Sequence, residues 1–162
     1  SEVCALRWED IDFRKAVLHV RSTVARVRGT DGGTATRLII DTPKTKSSLR
    51  DIPLSRQLMA VLLPLYEKRR SEYVISDKSG FVSPRTYEYR FHRVLDRCGL
   101  PSINYHALRH TFATRCIELG VDVKTLSEIL GHANVSTTLN TYVHSSMERK
   151  REQLEKLFVE SY

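Results

Sequence analysis

Leu130-Gly131-His132-Ala133-Asn134-Val135-Ser136-Thr137-Thr138-Leu139-Asn140-Thr141-Tyr142 holds the end of one helix and the start of the next. Gly131 stops one helix, because glycine reaches the left-handed backbone of a C-cap without a Cβ penalty. Ser136 is placed to cap the next, which carries Tyr142. Working outward, His106 to Leu119 reads as a helix closed by Gly120, and Asp122 caps the helix that Gly131 ends. Ser83-Pro84 supplies an N-cap and a first-turn proline for a helix ending before Gly99. The exposed face of that helix carries Arg85, Arg90, Arg93 and Arg97. Ser55 opens another to about Arg70, with Leu58, Val61, Leu62 and Leu65 on one face and Pro64 in its middle. Short capped helices joined by short turns are the result.

The first third reads differently. Ser1 to Trp8 spaces Val3, Leu6 and Trp8 as a helix face and is read as the tail of a longer helix. Ala16 to Val27 is rich in Val, Leu and Thr and reads as a strand, with turn chemistry following at Gly29 to Gly33. A second strand spans Thr36 to Asp41, a basic turn follows at Pro43 to Ser48, and Leu49 to Leu54 closes an antiparallel meander. The expected class is α+β and mostly helical, with a small three-stranded antiparallel sheet near the N-terminus. Residues 1–162 are read as a single domain. The last segment, Ser146 to Phe158, is charged, with Met147, Leu154, Leu157 and Phe158 as apolar contacts.

With 26 Lys and Arg against 19 Asp and Glu, the net charge of +7 favours a polyanionic partner, most often nucleic acid. Cys4, Cys98 and Cys116 are odd in number and form no C-x-x-C pair, which points to a reducing, cytoplasmic compartment. No apolar run approaches the length of a membrane span.

The groups suited to chemistry lie late in the chain. His106 and Arg109, three residues apart on one helix, can together donate hydrogen bonds to a phosphate. An isolated H-x-x-R is ordinarily structural, and so is a lone Tyr142 or His132. The argument is conjunctive: H-x-x-R, Leu-Gly-His and a tyrosine occur in order on short helices. A phenol can attack a phosphate covalently while Arg and His neutralise the charge that develops. Lys44 or Lys46, in the basic turn, could protonate a departing alkoxide. His106 and His110 have zinc-binding spacing, but no Asp, Glu or Cys cluster completes a site, so neither metal nor cofactor is expected.

These residues resemble the catalytic domain of the tyrosine recombinase family, which includes phage and conjugative-transposon integrases and Xer-type recombinases. The likeness runs from Ser1-Glu2-Val3-Cys4-Ala5-Leu6-Arg7-Trp8-Glu9-Asp10-Ile11-Asp12 through Pro43-Lys44-Thr45-Lys46-Ser47-Ser48-Leu49-Arg50-Asp51-Ile52-Pro53. It continues in His106-Ala107-Leu108-Arg109-His110-Thr111-Phe112-Ala113-Thr114, then Leu130-Gly131-His132 and Thr141-Tyr142-Val143-His144. The resemblance implies that Tyr142 attacks a DNA phosphodiester, keeping the 3′-phosphate and releasing a 5′-hydroxyl. Arg109 would hold the non-bridging oxygens, with His106 and His132 as further donors or proton shuttles. Lys44, with Lys46 as the alternative, would protonate the 5′-oxygen.

The implied function is site-specific recombination of double-stranded DNA by a mobile-element integrase in a bacterial or phage-infected cell. A Xer-type chromosome-resolution enzyme and a non-catalytic DNA-binding module on the same scaffold are the alternatives. The family also places an Arg two residues before its Ser-Glu pair and a DNA-clamping domain upstream. Neither is in this chain, so the chain alone is expected to be nearly inactive. Four protomers on DNA, exchanging C-terminal helices, would form the assembly.

Overall fold

The computed structural model describes residues 1–28, 36–43, 45–78, 80–142, 151, 154 and 155. Lys44 therefore lies outside the described residues, as do the side chain of Lys46, the glycine-rich turn after residue 28, and most of the segment 146–158. The described elements run α1 (Glu2–Ala5), β1 (Ile11–Asp12), β2 (Val17–Val20), β3 (Thr23–Arg28), β4 (Thr36–Asp41), β5 (Arg50–Pro53), α2 (Arg56–Glu67), β6 (Ser76–Asp77), β7 (Gly80–Phe81), α3 (Pro84–Arg97), α4 (His106–Glu118), α5 (Val123–Leu130) and α6 (Val135–Tyr142).

A three-stranded antiparallel sheet is present near the N-terminus, but its strands are β1, β2 and β5. The continuous strand expected over Ala16 to Val27 is broken at Arg21 and Ser22, and β3 pairs with β4 in a hairpin of its own. The division follows burial. Leu18 of β2 packs on the Trp8, Ile11, Leu54 and Leu62 core, whereas Val24 of β3 packs with Cys4 and Ala5 of α1. Arg21 and Ser22 carry the chain from the first cluster to the second. The opening segment is likewise shorter in helix than its spacing suggested: α1 stops at Ala5, and Trp8 lies in a separate 3-10 turn.

The helices start and stop where local chemistry says. Ser55, Ser83 and Asp122 accept hydrogen bonds from Leu58, Thr86 and Thr125 amides. Pro64 sits inside α2 without ending it. At α4 the cap position is Tyr105, which makes no side-chain cap bond, and α6 departs from the expected cap. Its cap is Asn134, whose side-chain oxygen takes the Ser136 amide at 2.8 Å, so Ser136 lies inside the helix. Asn and Ser are comparable caps, and the asparagine comes first in the chain. Helices α4 and α5 share a second core of Ala113, Ile117, Leu126 and Leu130.

Candidate functional site

The site is organised around the C-terminal end of α5. A helix leaves its last four carbonyls without intrahelical partners and gathers partial negative charge there. Here each finds a donor. The amide of Gly131 reaches Ser127 and Glu128, and that of His132 reaches Ser127, the closure a residue at φ 73° allows. The remaining two carbonyls are taken by arginines. Arg50 Nε donates to Ile129 at 2.8 Å, and Arg109 Nη2 donates to Leu130 at 2.6 Å. Two guanidiniums from distant parts of the chain thus meet at one helix end.

Glu2 holds the first of them. Its carboxylate accepts from Arg50 Nη1 and Nη2, each at 2.9 Å, in a bidentate pair. Burial pushes the Glu2 pKa up. The Arg50 hydrogen bonds and charge, with Arg109 nearby, outweigh this and hold the group below its usual range. A cleft of about 750 Å³ opens beside the pair, lined by Glu2, Arg50, His106 and Arg109 among others. Arg109 makes one hydrogen bond among the described residues, so the rest of its fork can serve an anion in the cleft.

His132 follows immediately. Its Nδ1 meets the hydroxyl of Thr138, wholly buried on α6, at 2.8 Å. Burial first, then the charges of Arg109 and Arg50, hold its pKa below the ordinary value. When the Thr138 hydroxyl donates to Nδ1, the ring hydrogen sits on Nε2 and that nitrogen is the donor.

Tyr142, at the last turn of α6, is half-buried. Its ring centroid lies 5.5 Å from that of His110, and it packs against the α4–α5 core. Neither Tyr142 nor His132 lines the cleft that His106 and Arg109 share. The second phenol close by, Tyr105, does line it, but burial and a hydrogen bond with Tyr87 push its pKa well up, away from a phenolate. Of the five residues singled out, then, His106 and Arg109 share the cleft, and His132 joins Arg109 at the helix end. Tyr142, on α6, packs beside His110, one helical turn along α4 from His106, and Lys44 is outside the described residues.

Three further residues belong to the site. Glu2 and Arg50 stood in quoted motifs without a role, and Thr138 in the opening stretch. Arg50 and Glu2 are 48 residues apart, so no local spacing could pair them. Thr138 lies six residues beyond His132, a separation that becomes a contact only because the chain turns at Asn134.

The pattern of the phage integrase family matches residues 1–149. A XerC-like tyrosine recombinase of Caldanaerobacter subterraneus subsp. tengcongensis is 34% identical across 97% of this chain and 45% of its own length. The transposase of transposon Tn916 from Enterococcus faecalis is 27% identical over 97% of this chain and 42% of its own. Among solved structures, the Tn1549 transposon integrase in complex with circular intermediate DNA superimposes with a TM-score of 0.79 at 29% identity. That match covers 97% of this chain and 55% of the integrase. The chain spans about half the length of the curated relatives it matches.

Proposed function

The chain belongs to the phage integrase family, and on that premise we propose that its protein is a mobile-element integrase that cuts and rejoins double-stranded DNA through a covalent 3′-phosphotyrosine. The observation that carries this reading is the pair of arginines on α5's last carbonyls, with the fork of Arg109 left partly open toward the cleft. A scissile phosphate seated there receives Arg109 on its non-bridging oxygens, and His106 and His132 add donors. The Tyr142 phenol gives up its proton to water as its oxygen attacks phosphorus, the bond to the 5′-oxygen breaks, and Lys44 delivers the proton that makes the 5′-hydroxyl. Rejoining is the reverse, with the phosphate bond energy kept in the phosphotyrosine.

A phenol of pKa about 10 needs a strongly positive surrounding to act as a nucleophile near neutrality. Arg50 and Arg109 supply that charge beside His132. The half-buried Tyr142 ring on His110 is the resting position, and DNA binding draws it toward the phosphate. Four protomers act on two duplexes, and light scattering on DNA, with and without residues 146–162, reads whether the C-terminal segment joins them.

The test uses the full-length protein and a nicked suicide duplex, which traps the covalent intermediate. Tyr142→Phe is expected to bind this DNA with unchanged affinity and form no denaturant-stable adduct. An adduct persisting in Tyr142→Phe removes this residue from the role. Binding without any adduct from the unmodified protein supports a non-catalytic DNA-binding module instead.

A further inference from the structure

Arg50 is the most fully engaged guanidinium of the described site. Four of its five N–H groups have acceptors: Nε on the Ile129 carbonyl, Nη1 on Glu2 and on the Ser48 carbonyl at 2.9 Å, and Nη2 on Glu2. Its side chain is only 11% exposed. A guanidinium so occupied has little left to offer a phosphate, in contrast to Arg109. Its acceptors, moreover, come from three separate segments. Glu2 is in α1, Ser48 ends the 3-10 turn Lys46–Ser48 that follows Lys44, and Ile129 is in the last turn of α5, just before Gly131 and His132. The side chain also lies along Gly131, where an added Cβ would come within 3.0 Å of Nη1.

We propose that Arg50 is a positioning residue for strand cleavage: its planar fork clasps α1, the 3-10 turn Lys46–Ser48 and the end of α5, and so fixes the helix end from which His132 follows. The inference rests on the recombinase reading above and extends it to a residue that touches neither the phosphate nor the attacking phenol. Its physical basis is shape. A guanidinium presents rigid, coplanar donors to several acceptors at once, whereas an ammonium on a flexible stem satisfies fewer of them and fixes no angle. Displacing a donor by about 1 Å costs on the order of 10²-fold in rate.

The experiment compares Arg50→Lys, Arg50→Ala, Arg50→Gln, Glu2→Gln and the Glu2→Gln/Arg50→Gln double variant in the full-length protein. Single-turnover cleavage of the suicide duplex at saturating DNA is read beside the DNA dissociation constant and its salt dependence. Arg50→Lys, which keeps the charge, is expected to bind with an unchanged constant and salt slope yet cleave about 10²-fold more slowly. Removing Glu2 and Arg50 together should cost far less than the product of the single losses, because one clasp is being removed twice. If Arg50→Ala does not fold, Arg50→Lys and Glu2→Gln carry the test.

Cleavage by Arg50→Lys within twofold of the unmodified protein overturns the proposal, whatever happens to its melting temperature. So does a salt slope reduced by about 0.9, the mark of a lost phosphate contact. These outcomes leave the recombinase reading intact while the unmodified protein still forms its adduct. No adduct from the unmodified protein overturns both.

Discussion

At His132, burial and the positive charges of Arg109 and Arg50 act in one direction, disfavouring the imidazolium. The folded state therefore binds fewer protons than the unfolded chain once the pH nears the ordinary histidine pKa of about 6.5. The stabilising contribution is fully present above that pH and is lost as pH falls through the lower folded value. The melting temperature should accordingly drop more steeply below pH 6.5 in the unmodified protein than in His132→Gln, and parallel melting curves across this range would contradict it. The partner hydroxyl has its own consequence. Thr138 is wholly buried, so Thr138→Val keeps the shape but strands Nδ1. A loss of about 1 kcal/mol in denaturant unfolding is expected, the size of one net hydrogen bond.

Among the elements, the two left-handed glycines that close α4 and α5 make a controlled pair. Gly120 (φ 78°) and Gly131 (φ 73°) have nearly the same backbone, so alanine should strain each by about 1–2 kcal/mol. Their surroundings differ. An added Cβ at Gly120 meets nothing within 4 Å, while at Gly131 it meets three atoms of Arg50 at 3.0–3.2 Å. Gly131→Ala should therefore be the more destabilising of the two by equilibrium unfolding, and should slow cleavage where Gly120→Ala does not. Equal effects at both positions would mean that Arg50 yields freely, and that the helix end and the guanidinium are not tightly coupled.

Across the whole molecule, charge and connection divide the work. The exposed arginines of α3, with Arg90 4.0 Å from Asp77, make that helix surface basic. If Arg93 contacts a phosphate, Arg93→Glu should weaken binding to unrelated duplexes alike and flatten the log–log salt dependence by about 0.9 or more. A change confined to one DNA sequence would instead mark base contact. The sheet core around Trp8 and the helical core around Leu126 are separate clusters. Arg50 at the start of β5 bonds directly to the end of α5, so one polar side chain links the half that carries the lysine turn to the half that carries His132.

Legibility in the chain followed the range of the interaction. Ser83, Asp122 and Gly131 announced their helix ends because a cap is made within a few residues, by groups whose chemistry is plain in the order of letters. The residue types of the site were legible for the same reason: Arg109 can only be a cation, and His106 three residues before it must share its face. Even locally, two adequate caps competed at α6, and Asn134 prevailed over Ser136. The split of Ala16 to Val27 between two sheets depended on which core each valine or leucine found. Packing likewise set the Tyr142 ring on His110 and closed Arg50 on acceptors 48 and 79 residues away. Composition and caps determined which elements form and which groups are available. Only the burial of distant surfaces against one another decided which groups meet, because a contact across half the chain leaves no periodicity in the residues that make it.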